Sequence, residues 1–467
     1  MLRFLPFFGF FAALLVAPGW AEAHAAEQGF VLLLPTEAYA FGGTMTVAAT
    51  VVLVTCLPVD ILHRLFQPCG RLRKLEAHRI ADLTSVLGTL LFLALVWVGW
   101  SGPSDPQENL LPLTLWTVWW IGLLVVQGLI MDIWRWVNPW RGFVALTAAG
   151  RAPLRLPEHW KAWPAVVVFI AFQVFVLADV APSDPPRLAM FALGYWLFTF
   201  AGMLIFGASA WLRQVECFTV LFALIGTLRP IHLLQNPATG MPGWRSLHDG
   251  PLDPSRAVFC LVILASGSFD GLSETFWWLA KIGINPLEFP GRSAVVVPST
   301  LGLLAANAAL IAVFVLSLWV GLALLRRFGT AADLSLIVAF NTFAIAILPI
   351  ALGYHFSHYL VSFMVQIQYV LIALGDPLAG GANILGLADG RVTTGFLNTA
   401  GTVKVIWLTQ AFAVVFSHVL SVLMAHYLSA RFCKSNKDML LLQAGLSILM
   451  IFYTIFGLWL LAAPRGA

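Results

Sequence analysis

The chain has 467 residues, 60% of them hydrophobic and only 10% charged, with a mean hydropathy of +0.88 and a net charge of +4. Soluble domains carry roughly 25% charged residues, so a soluble globular enzyme is excluded. The basic residues are confined to short loops, which excludes a nucleic-acid-binding surface. The expected fold is all-α, a polytopic transmembrane helical bundle in a lipid bilayer, and its 19 tryptophans and 35 phenylalanines suit aromatic belts at the water interfaces.

Residues 1–23 read as a secretory signal peptide: a basic start at Arg3, the apolar stretch FLPFFGFFAALLVAP, then AEA, an A-x-A type cleavage site, before His24. The alternative is an uncleaved first helix, which the short run and its interruption by Pro6 and Pro18 disfavour. Residues 24–467 then form a single transmembrane domain. Ten apolar spans follow, at 38–58, 82–102, 111–134, 161–180, 187–210, 254–270, 298–325, 331–374, 402–428 and 438–462, each near or above the ~20 residues that cross the hydrocarbon. With the amino terminus outside, the alternate loops 59–81, 135–161, 211–256, 326–330 and 429–437 hold 19 of the 26 Lys and Arg residues, as the positive-inside rule requires of cytosolic loops.

Two segments depart from simple spans. Residues 214–227 are apolar but too short to cross, and they lie between basic loops, so an interfacial or re-entrant helix is expected. Span 331–374 is about twice the needed length, with Pro349 expected to kink it and Gly353 to loosen it. The five cysteines form no CxxC or CxxCH, so free thiols are expected and covalent c-type haem is excluded.

An ionised residue at the centre of a membrane helix costs about 3 kcal/mol, and the chain carries such residues at few places. Asp270 and Glu274 stand four apart at the end of an apolar run and share a helix face. His355 and His358 share a face in span 331–374, and His418 lies on the returning helix, with His426 two turns further on. Carboxylates and imidazoles at helical spacing build metal sites in bundles, and they suit zinc, iron or copper. His358 and His418 are the expected ligands of one ion near the outer leaflet, with Asp270 as ligand or general base and Glu274 beside it. His355 would add a ligand or hold its neighbour's ring. Each has a plainer reading: an interfacial ring at His355 or His426, a helix cap or loop start at Asp270 and Glu274. A mature amino terminus at His24 would offer an α-amine and an imidazole, a chelating pair that favours copper. No G-x-S-x-G, Walker loop, H-E-x-x-H or Rossmann fingerprint occurs, so a serine triad or an ATP-driven pump has no support.

At GSFDGLSETFWW, at GYHFSHYLVSFMVQIQYVLIALGDPLAGGANILGLADG and at FSHVLSVLMAHYLSAR the chain resembles the fenitrothion hydrolases, polytopic bacterial inner-membrane proteins linked to organophosphorus ester cleavage. The features that match are His24 after the signal peptide, the segment Phe269–Ser273, His358 before Tyr359, and His418 with His426. Ser417 departs from the pattern, which has glycine before the histidine, and puts helix packing there in question. The resemblance implies an inner-membrane hydrolase of apolar organophosphorus triesters, with the mature amino terminus periplasmic. Two other readings use the same histidines: a copper or other transition-metal carrier, alone or in an oligomer with another membrane subunit, and a b-type haem protein with His358 and His418 as axial ligands.

Overall fold

A computed structural model describes residues 31, 33–56, 59–71, 78–142, 144, 152–233, 237–285, 291–330, 334–386 and 390–465. The expected signal peptide and His24 lie outside these residues. The main helices among the described residues are α1 (Thr36–Cys56), α2 (His78–Ser101), α3 (Leu110–Leu129), α4 (Trp163–Ala178), α5 (Pro185–Phe206), the short α6 (Ala208–Gln214) and α7 (Cys217–Ile225), α8 (Pro254–Ser273), α9 (Val296–Phe328), α10 (Leu336–Gly375), α11 (Ala400–Ser429) and α12 (Asn436–Ala462). The molecule is an all-α bundle in which nine of these are long and apolar enough to span a membrane. The sixteen-residue α4 coincides with the remaining expected span. The β-structure described is one small antiparallel sheet, Cys69–Arg71, Ala238–Thr239 and Ile231–His232, and one isolated bridge. Cys69, Cys217, Cys260 and Cys433 are free thiols.

The expected short segment at 214–227 is the second arm of a bent pair, α6 and the helix Cys217–Leu228, which meet at 69°. Glu216 makes the corner: its carboxylate accepts from the backbone N–H groups of Phe218 and Thr219 and from the Tyr195 hydroxyl, capping the second arm. The corner and the far end of the pair are each tied to a neighbouring segment. The Arg213 carbonyl accepts from Arg256 at the start of α8, and Arg229 pairs with Asp132 at 3.5 Å.

Contacts between loops keep the two faces apart. On the basic face Arg141 pairs with Asp82 at 2.8 Å, Thr239 donates to the Cys69 carbonyl, Arg431 donates to the Leu247 carbonyl, and Thr330 donates to Asp438. On the opposite face Arg187 and Arg292 both bond Asp179 groups, and Phe276 N–H donates to the Pro464 carbonyl. This grouping follows the alternation that the loop charges predict.

The irregularity in α10 lies at a 3₁₀ turn, Ala344–Ile347, just before the expected kink. Pro349 occupies the first turn of the segment that follows, where its missing N–H would have no partner in any case. Gly353 has a different role from the expected loosening. A Cβ there would lie 2.5 Å from the Ser417 side chain, so the bare glycine is what lets α11 approach. Ser357 and Gln410 lock this seam reciprocally, Ser357 Oγ donating to the Gln410 carbonyl and Gln410 Nε2 to the Ser357 carbonyl, both at 2.8 Å. The core runs through α8, α10, α11 and α12, whereas α1 and α2 expose Phe41, Leu53, Leu83, Leu87 and Leu91, the surface a bilayer covers.

Candidate functional site

The last turn of α8 and the middle of α10 build the site. Asp253 caps α8 and Pro254 opens it, which fixes the helix phase so that Asp270 emerges buried, toward α10. His358 Nε2 stands 3.1 Å from Asp270 Oδ2. The hydroxyl of Tyr359 donates to the same oxygen and itself accepts from Trp120 Nε1 at 3.3 Å. Hydrogen bonds to an ionised acceptor each contribute about 1.5–3 kcal/mol, enough to hold this carboxylate in the apolar interior. Glu274 follows as the last residue of the turn, about half exposed. Ligand atoms of Asp270, Glu274 and His358 all lie within 4.8 Å of one another.

The π-helical stretch Leu113–Leu123 of α3 brings Trp120 to this place. His355 Nε2 donates to the Trp120 carbonyl at 3.1 Å, and its ring meets the indole edge-on. His355 therefore braces α3 against α10 beside the cluster and is outside the three-residue group. At this site two of the buried polar atoms that lack a partner among the described residues, His358 Nδ1 and the Tyr354 hydroxyl, belong to rings stacked at 5.7 Å. Both face Gly271, where an added Cβ would clash with the tyrosine oxygen and come within 3.5 Å of Nδ1. They border a cavity of about 30 Å³ lined also by Trp120, Phe169, Gln173 and His355. At ~10–15 Å³ for each water, it has room for about two.

The remaining expected ligands lie elsewhere. With Ser357 opposite Gln410 and Ala346 opposite Ser421, His418 falls opposite Pro349. That is nine residues from His358, about 13 Å at 1.5 Å per residue. His418 is buried beside Tyr453, and its Nδ1 bonds the Val414 carbonyl one turn back at 2.8 Å. The register brings the two imidazoles neither to one ion nor to the two faces of one haem. His426 is fully buried rather than interfacial, with Gln443 Nε2 donating to its Nδ1 at 2.8 Å.

No protein-family model, curated protein or solved structure matches this chain. The likeness to the fenitrothion hydrolases thus stands on the sequence segments alone.

Three carboxylate and imidazole donors fit a divalent transition ion in kind. Two ligand atoms of a tetrahedral zinc ion stand roughly 3.3 Å apart, so a spacing of up to 4.8 Å closes by about 1.5 Å when the ion binds. Sequence reading assigned no role to Tyr354 and Trp120, and Tyr359 and Gly271 entered only as parts of the segments that carry the resemblance. A signal existed for the tyrosines: the chain has only seven, and two of them flank His358 at i−4 and i+1.

Proposed function

We propose that the chain is a bacterial inner-membrane hydrolase of apolar organophosphorus triesters, assisted by a divalent transition metal held by Asp270, Glu274 and His358. The observation that carries this reading is the cluster itself: two carboxylates and an imidazole converge beside a small cavity near the end of α8. In this reading the basic loops face the cytosol and the site opens toward the periplasm, where a substrate already dissolved in the bilayer reaches it sideways. The ion supplies polarisation of the phosphoryl group and a lowered pKa for water. Tyr359 keeps the Asp270 carboxylate oriented, Trp120 keeps Tyr359 in place, and Tyr354 offers a free hydroxyl for a polar atom beside Gly271. The cavity lining is apolar at Leu124, Phe169, Leu221, Ile263 and Leu264, but at about 30 Å³ it has room for water and not for the ester, whose hydrocarbon part stays on the bilayer side in this reading.

The test is metal analysis of the purified protein together with turnover of an aryl dialkyl phosphate. Bound metal near one equivalent, with activity lost to a chelator and restored by zinc or copper, is the expected result. Bound metal without turnover would replace the hydrolase with a metal carrier. Absence of both would defeat the reading.

A further inference from the structure

The cluster already has a cation at its edge. Arg465 Nη1 stands 3.5 Å from Glu274 Oε2, and Arg465 Nη2 donates to the Leu460 carbonyl at 3.2 Å. The backbone fixes this arrangement. Thr275 and Arg465 form an isolated antiparallel bridge, and Phe276 N–H donates to the Pro464 carbonyl at 3.0 Å. Thr275, fully buried, caps the helix Phe276–Lys281. The segment after α12 is thus strapped across the end of α8, with its guanidinium on Glu274.

We propose that Arg465 is a built-in competitor for Glu274, so that a divalent ion enters the cluster only as the strap releases that carboxylate. The inference rests on the metal reading above and concerns what controls occupancy. Two carboxylates this close repel each other unless a cation stands between or beside them. A divalent ion held between Asp270 and Glu274 supplies the positive charge that these two carboxylates need. Arg465 would then be a surplus positive charge at the edge of a low-dielectric interior, where unbalanced charge is unfavourable. Glu274 is the member able to exchange partners, because it is about half exposed, whereas Asp270 is buried and bonded to Tyr359 and His358. The cluster is more than an acidic patch: His358 Nδ1 and the Tyr354 hydroxyl, both on buried side chains, lack partners at its inner side. A guanidinium that only oriented Glu274 for the ion would have the opposite effect on affinity.

Zinc binding to the purified full-length protein, measured by titration calorimetry, decides between the two. Arg465→Gln and Arg465→Met, the second keeping the aliphatic stem, are each compared with the wild type after a thermal melt confirms folding. Arg465→Lys serves as a conservative control. The expected result is zinc affinity at least tenfold higher in the Gln and Met variants, and near wild type in the Lys variant. In a Glu274→Gln background the Arg465 substitutions should change affinity little. Equal or weaker binding in the folded Gln or Met variant, with zinc still bound by the wild type, overturns the competition alone. No zinc bound by any of the proteins overturns the metal site itself.

Discussion

The middle of α10 and the middle of α11 both bury histidine in a lipid-facing bundle, and they treat it differently. His358 meets an acid, a tyrosine and a cavity, and one of its nitrogens has no partner. His418 turns one nitrogen back to its own helix and leaves Nε2 without a partner as well, but among the described residues no carboxylate gathers around it to make a metal-binding group. A single backbone hydrogen bond settles a neutral imidazole in a helix interior, so burial in the membrane does not by itself mark a site. A carboxylate is harder to place there, and Asp270, which unlike the buried Glu216 caps no helix, marks where function is to be sought.

The largest effect that separates the two regions is expected from removing their donors. His358→Ala and Asp270→Asn should each reduce zinc affinity and triester turnover by at least ~100-fold, the upper part of the range seen when even supporting groups of a metal site are removed. His418→Ala should keep both within about threefold. It should lower stability by about 2 kcal/mol, because a buried ring leaves a void. Metal analysis and thermal melts of the three variants test this. Equal loss of metal in His418→Ala would erase the distinction between the regions.

A smaller effect is expected at the seam that sets their separation. Gly353→Ala places a methyl group 2.5 Å from Ser417 and 2.9 Å from the Ala413 carbonyl. Overpacking of this kind costs about 1–3 kcal/mol. Adding Ser417→Gly in the same chain should recover much of the loss, since it removes the nearer obstacle. Melting temperatures of the single and double variants check both steps. An additive pair, with no recovery, would mean that α10 and α11 are spaced by other contacts.

The spans were legible in the sequence because lipid imposes length and hydropathy directly, and loop charge recorded the alternation of faces. The bent α6–α7 pair was legible for the same reason: it is apolar but short, and basic residues flank it on both sides. Asp270, Glu274 and His358 could be singled out as unusual residues for a membrane. Which of the histidines joins them could not be read. That depends on the register between α10 and α11, and the register is set by Gly353 against Ser417 and by Ser357 against Gln410, a small-residue fit with no periodic signature. Trp120 was illegible for a related reason, since a π-helical stretch changes the helical phase on which face assignments depend.

The smallest effect concerns a third imidazole, outside the membrane-spanning helices, where burial has only a stability role. His232 lies under Trp244 on the small sheet, with its Nε2 3.1 Å from the Arg229 carbonyl. Burial, reinforced by the Arg229 and Arg245 guanidinium groups, lowers its pKa from 6.5 to about 4. The folded state therefore keeps this ring neutral while the unfolded chain binds a proton between those two values. Stability is full above about pH 6.5, falls as the pH drops toward 4, and changes no further from this group below that. Near pH 5.5 the loss should be roughly 1 kcal/mol, since one pKa unit corresponds to about 1.4 kcal/mol. His232→Gln, which cannot titrate, should flatten that part of the melting-temperature profile while leaving zinc affinity unchanged. A wild-type profile with the same slope as the variant would show that His232 is already charged or already wet, and the contrast between bracing and functional imidazoles would then rest on the membrane-embedded residues alone.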